Sequence, residues 1–399
     1  MQTKNLTALL IAVALIVAVI IYLDNSKASP VASAPVEELV LPQVEPALST
    51  DSEVSGAPSP VERSLKAMRF ERAKEITTPD GFLNSLNPRG SAEPMTLGEL
   101  VGKKVVLLDI WTYSCINCQR TLPYLKAWHG KYKDKGLVII GLHTPEFEFE
   151  KIYDNVRAAV QKFGITYPVV LDNDYSTWRA YRNQYWPRKY LIDIDGYIAY
   201  DHIGEGGYEE TERQIQKALE ERMTRLGEKG SVDIALTKEQ ALIRPGSPEI
   251  YFGASRNENF GNGTRGAAGT EMFSVPEDRK LNTLYLGGTW NIQAEYAENV
   301  GAPAVIEFRY KAKEVYFVAS SESGVEATIY NDGVLVKGKG ALDCSESGFC
   351  GGDDVTPAGT VYIKEDRLYK LIQNESIEEH VLKIEIKQPG LKAFTFTFG

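Results

Sequence analysis

Cysteine is scarce in this chain: four in 399 residues, at positions 115, 118, 344 and 350. A four-thiolate metal site would need all of them, drawn from two distant stretches of chain. No long cluster of Lys and Arg occurs, and the formal net charge is -10. A broad phosphate-binding surface is thereby excluded, and nucleic acid as a partner with it. No internal repeat stands out, and long helical patterns are missing beyond about residue 247. What the chain does have is length enough for two cores once the non-globular segments are set aside.

The first such segment is Leu6 to Leu23, 18 residues without a charge, preceded by Lys4. As a helix it would reach roughly 27 Å, close to a bilayer's hydrocarbon thickness. Signal peptides have shorter apolar cores, and the small-x-small Ala32-Ser33-Ala34 lies far downstream and is followed by Pro35. The expectation is an uncleaved transmembrane anchor in residues 1–27, with a cleaved signal as the alternative and the rest of the chain extracytoplasmic. Residues 28–66 follow, with Pro30, Pro35, Pro42, Pro46, Pro58 and Pro60 among Ser, Ala, Val and Glu. This composition reads as an unordered linker.

From residue 67 to 228 buried strands alternate with amphipathic helices. The runs "KVVLLDIW" and "LVIIGLHT", separated by a helix, predict parallel pairing in an α/β layer. "EKIYDNVRAAVQKFG" places Ile152, Val156, Val160 and Phe163 on one helical face, and "KYLIDIDGYIAYDHI" is a hairpin turning at Asp195-Gly196. The helix "EETERQIQKALEERMTRL" closes the unit with Ile215, Leu219, Met223 and Leu226. A polar link, 229–246, leads to residues 247–399, where "AVIEFRYKA", "EVYFVAS", "EATIYNDGVLVKG", "GTVYIK", "HVLKIEI" and "AFTFTF" read as strands. The prediction there is an all-β sandwich of jelly-roll type.

Cys115 and Cys118 stand where the first strand hands over to a helix, in "DIWTYSCINCQRTLP". A cysteine at a helix N-terminus meets unpaired N–H groups that favour its thiolate, and a second one three residues on returns to the same face. Lowering a thiol pKa from about 8.5 to about 7 gains only about 3-fold in rate, because the thiolate also becomes a weaker nucleophile. Positioning by neighbouring residues must supply the rest.

Those neighbours resemble the thioredoxin superfamily. Asp109 matches the buried aspartate that helps the second cysteine lose its proton, Trp111 the tryptophan beside the site, and Pro123 the proline within the active-site helix. "QYWPRKYLIDIDG" looks like the cis-proline loop, with Pro187 as the cis-proline and Trp186 beside it holding a substrate backbone. The added helix and strand over Glu150 to Leu171 is similar to the TlpA-like, redoxin branch. "WTYSCINC", "TLPYL", "GLHTPEFEFEK" and the terminal "AFTFTFG" resemble the soluble C-terminal region of DipZ-type proteins, a thioredoxin-like domain followed by a carbohydrate-binding-module-like domain. The resemblance implies a thiol-disulfide oxidoreductase of the cell envelope, periplasmic, with no cofactor beyond the Cys115–Cys118 couple. Its substrates would be oxidised envelope proteins, including thiols of cytochrome c maturation, and its electron donor a CcdA- or DsbD-like membrane protein. The dipeptide Ile116-Asn117 departs from the Gly-Pro of ordinary thioredoxins, so the motif does not fix the direction of electron flow.

Rival readings remain at this level. Zinc and a purely structural disulfide are alternatives for Cys115 and Cys118, and a thiol peroxidase would use Cys115 too. Cys344 and Cys350 read as a structural disulfide in a Gly-rich loop, with a second redox centre or free thiols as alternatives. His143 and Glu146 follow the second strand: Glu146 either transfers protons near Cys118 or caps the next helix, and His129 reads as a surface or packing histidine. Trp290, Tyr296 and Tyr369 are either a glycan-stacking platform or core, which leaves a glycan- or protein-binding adaptor as the reading from another class.

Overall fold

The computed structural model describes residues 60–84, 96–239, 244–338 and 350–399. The expected anchor lies outside these, as do Cys344 and most of the linker. Among the described residues no helix is long and apolar enough to cross a membrane. The boundary expected at residue 67 falls inside a helix, α1 (Pro60–Arg69). Proline suits a first helical turn because its missing N–H would be unpaired there anyway. Lys66 then fixes the helix: its Nζ donates to Asp193 and Asp195 at 2.7 Å each, and to Glu221.

The α/β domain continues as β1 (Gly81–Leu83), α2 (Leu97–Leu100), β2 (Val105–Trp111), α3 (Ile116–Tyr132), β3 (Leu137–His143), α4 (Tyr153–Lys162), β4 (Val169–Leu171), α5 (Ser176–Ala180), β5 (Arg188–Ile192), β6 (Ile198–Ile203) and α6 (Tyr208–Leu226). Its sheet runs β1-β4-β3-β2-β5-β6. β3 is parallel to β2 and β4, whereas β5 is antiparallel to β2 and β6. The period of two sorts β2: Val105, Leu107 and Trp111 join the core formed with α3 and α6, while Val106, Leu108 and Ile110 join the core on the other face. Asp109, by the same alternation, belongs to the α3 face.

Two departures from the periodic reading have local causes. α4 starts only at Tyr153, after a 3-10 turn over Glu148–Lys151, because Glu150 is drawn inward; Ile152 becomes the N-cap and is 51% exposed. The link 229–246 is not free of the domain either. Val232 is buried in the α3 core, the Asp233 carbonyl accepts from Tyr132 and Gln216, and Glu212 accepts from the Thr237 amide.

The β-domain contains β7 (Ile250–Tyr251), β8 (Gly269–Phe273), β9 (Leu284–Ile292), β10 (Ala297–Asn299), β11 (Ala304–Ser320), β12 (Val325–Asn331), β13 (Val334–Leu335), β14 (Cys350–Gly351), β15 (Thr360–Ile363), β16 (Arg367–Ile386) and β17 (Lys392–Phe398). The two strands expected in "AVIEFRYKA" and "EVYFVAS" are one, β11, with an irregularity between Ala312 and Glu314. Such a bulge bends a strand without ending it. The first half of β11 consequently pairs with β9 and the second half with β17, while β16 follows it on the other side. Asp332 and Gly333, both at positive φ, make the turn from β12 to β13 that the Asp-Gly pair predicts.

Both domains belong to one compact unit, Ser55–Gly399. Tyr316, Val318, Leu368 and Phe394 of the β-domain join the α3 side of the α/β core. Phe394 meets Phe147 and Phe149 edge-on, with ring centroids 5.2 and 4.8 Å away.

Candidate active site

β2 ends at Trp111, and four residues later Cys115 caps α3. Its backbone is still extended there, and its Sγ accepts from the Cys118 amide at 3.4 Å. Cys115 is half-buried and Cys118 buried, and both are free thiols. One sulfur can therefore meet a large partner while the other waits beneath it. Burial first, and then the neighbouring Cys115 sulfur, pushes the Cys118 thiol well above its ordinary range. Something must take its proton before it can act as a nucleophile.

Asp109 occupies the same face of the sheet as the cysteine pair and is 1% exposed. Burial raises its carboxyl to about 7, against the pull of Lys189, and its Oδ1 has no hydrogen-bond partner. Lys189 is the residue directly across the ladder in β5, itself fully buried. Its Nζ donates to the Gly204 carbonyl at 3.2 Å and lies 5.6 Å from the centre of the Tyr208 ring. Burial lowers the Lys189 ammonium, while Asp109 and Cys118 are the first charges that favour it. Sequence reading missed this lysine. Strand alternation placed it on the face of Leu191, and that was the available signal.

A second missed residue is Glu150. Its fully buried carboxylate accepts four hydrogen bonds: Oε1 from the Ser114 hydroxyl at 2.7 Å and the Ser114 amide at 3.2 Å, Oε2 from the amides of Glu146 at 2.6 Å and Phe147 at 3.1 Å. The residue before the cap cysteine is thus tied to the segment after β3. Glu146 points away from that segment: its Oε1 accepts from Arg256 at 2.7 Å and Tyr251 at 2.9 Å, both in the β-domain. It caps no helix, and neither cysteine is among its hydrogen-bond partners.

The remaining residues sort clearly. Trp111 is buried against Gly141, where a Cβ would lie 2.8 Å from the indole nitrogen. A glycine at that register position is what lets the indole lie flat on the sheet. Pro123 lies inside α3, and the Trp186–Pro187 bond is cis. The Trp186 indole donates to the Thr144 carbonyl at 3.0 Å and packs 4.2 Å from Trp178. His143 is buried edge-on to Trp111 and stacked on Tyr113, and burial holds it neutral by lowering it to about 3. His129 packs on Tyr167. Trp290 and Tyr369 are buried, 0% and 1% exposed, and Tyr296 packs on Phe394, so the three do not form a sugar platform. Cys350 is disulfide-bonded. Among the described residues the acidic trio close enough to hold a cation is Asp193, Asp195 and Glu221, where the Lys66 ammonium already sits. A cleft of about 1190 Å³ opens beside α3, with Ile116, Gln119 and Arg120 on one wall and Tyr316 and Arg367 on the other.

Residues 73–219 match the Redoxin family and residues 247–399 the family described as thioredoxin like C-terminal domain. The protein DipZ of Mycobacterium tuberculosis is 35% identical over 328 residues, which cover 81% of this chain and 43% of that one. The chain therefore spans less than half the length of this relative. The thiol-disulfide oxidoreductase ResA of Bacillus thuringiensis is 32% identical over 121 residues, 30% of this chain and 66% of that one. Among solved structures, a putative thiol:disulfide interchange protein DsbE from Chlorobium tepidum is 24% identical, covering 38% of this chain and 96% of that one, with a TM-score of 0.32.

Proposed function

We propose that this chain, whose residues 73–219 match the Redoxin family and whose residues 247–399 match the thioredoxin like C-terminal domain, is a membrane-tethered, extracytoplasmic thiol-disulfide oxidoreductase that reduces disulfides of envelope proteins. The observation that carries this reading is the pairing of a half-buried Cys115 with a buried Cys118 over an acid, Asp109, that titrates near neutrality.

In the forward reaction the Cys115 thiolate attacks a substrate disulfide, forming a mixed disulfide and expelling one substrate thiolate. Cys118 then gives its proton to the Asp109 carboxylate and attacks the Cys115 sulfur. The mixed disulfide breaks, the second substrate thiol leaves, and Cys115 and Cys118 are left as a disulfide. Two electrons have passed to the substrate. Lys189 supplies a fixed positive charge beside the single negative charge as it passes from Asp109 to the Cys118 sulfur. An acid poised near the operating pH serves such a transfer best, because it can accept and return the proton at little cost. Trp186 and Pro187 offer backbone to the substrate chain beside Cys115.

The apolar run from Leu6 to Leu23 supports the tether, and the resemblance to DipZ-type proteins supports a CcdA-like membrane donor that re-reduces the couple. We read the β-domain as a jelly-roll-type sandwich. Reduction of insulin disulfides by the protein, wild type against Cys115→Ser, tests the proposal: the variant should lose at least about 100-fold in rate. Equal rates would sink it.

A further inference from the structure

The segments flanking the Cys115 loop run directly into the β-domain. Tyr113, two residues before Cys115, donates its hydroxyl to the Asp366 carbonyl at 3.0 Å. Ser114, one residue before it, is held twice by Glu150, whose other oxygen is held by the amides of Glu146 and Phe147. The Glu146 side chain is in turn gripped by Tyr251 and Arg256, and the Arg256 guanidinium lies 3.8 Å from the Tyr251 ring centre and 5.4 Å from that of Phe147. A chain of direct contacts therefore runs from Arg256 through Glu146 and Glu150 to Ser114, the residue before the cap cysteine. All four contacts are donated to Glu150, by the amides of Ser114, Glu146 and Phe147 and by the Ser114 hydroxyl. That favours the ionised carboxylate, although burial and then the neighbouring Glu146 push it the other way.

We infer that the β-domain is a working part of the redox centre, with Arg256, Glu146 and Glu150 as positioning residues that fix both the Cys115 loop and the charge beneath it. The inference rests on the oxidoreductase reading and adds the agent that sets the balance of the couple. Glu150 contributes a buried negative charge hydrogen-bonded to Ser114, the residue before Cys115, and Arg256 partly offsets it from the other domain. In a partly dry site such charges act over more than one residue. Reduced protein is stabilised when its thiolate is stabilised, so the two residues pull the couple in opposite directions.

The test is the equilibrium constant of the Cys115/Cys118 couple against dithiothreitol, measured on the full chain. Glu150→Gln should shift it toward reduced protein by about 3-fold or more, and Arg256→Met toward the disulfide by about 2-fold, with Arg256→Lys returning to wild type. Tyr251→Phe, which removes one hydroxyl, should shift it in the direction of Arg256→Met and serves if Glu150→Gln does not fold. Shifts in the same direction for Glu150→Gln and Arg256→Met would show mere loosening and overturn the inference, as would constants unchanged in folded variants. A wild type that equilibrates normally while the variants do not differ sinks this inference alone; loss of the insulin activity itself is what sinks the oxidoreductase reading.

Discussion

The two domains bury polar groups in opposite ways. Around the cysteines the α/β domain buries Asp109, Lys189, Glu150 and His143, all ionisable, and leaves Asp109 Oδ1 and His143 Nδ1 without partners. The β-domain core is apolar where it is deepest, and its best-placed buried polar group is an amide. Asn299 donates to the Gly301 and Gln388 carbonyls and accepts from the Leu391 amide. Satisfied amides pin strands together at little cost, whereas unsatisfied ionisable groups cost stability. The first domain therefore leaves ionisable atoms unpartnered beside its cysteines, whereas the unpartnered buried side-chain atoms of the second belong to Asn257, Ser321, Asn331 and Asn374.

This contrast can be broken in graded ways. Trp290→Ala should cost the most, about 4 kcal/mol in denaturant unfolding, because a fully buried indole leaves a cavity that strands cannot close. Asp109→Asn should instead stabilise the protein at pH 8, by about 2 kcal/mol after allowing for the Lys189 charge left behind. The sign follows from its raised carboxyl: ionising it costs the folded state nothing below the unfolded value near 3.8 and the full amount above about 7. The gain should accordingly vanish in unfolding measured near pH 4, and resolution of mixed disulfides at pH 7 should slow about 10-fold. Lys189→Met removes the one group that lowers Asp109, so the pH profile of the resolving step should move upward, read by rapid-quench trapping of the mixed disulfide. At the small end, Arg213→Ala removes exposed pairs to Glu209 and Glu210 and should change stability by less than about 0.5 kcal/mol.

Much of the α/β frame was legible because its signals are short-range. The spacing from Asp109 to Cys115 to Pro123, the hairpin at Asp195-Gly196 and the cis-proline loop each depend on a few adjacent residues. Lys189 was harder, since a charged residue in a strand reads as solvent-facing unless the face of its neighbours is followed through. Glu150 was harder still. In "EFEFEK" Glu148 is exposed and Glu150 buried, and no period separates them; only the fold brings Ser114 to one of them. In the β-domain Trp290 and Tyr369 have the composition of a binding face, but their strands turn them inward, a choice of face that one residue of register decides.

Lys66 has a mechanical meaning as well. α1 is riveted to the folded body by one ammonium set among Asp193, Asp195 and Glu221. Asp193 and Asp195 form the turn between β5 and β6, the hairpin that follows Pro187. A pull on α1 would thus be delivered to the far end of β5, the strand that follows Pro187 and carries Lys189, and a single charge reversal at position 66 would uncouple helix from strand.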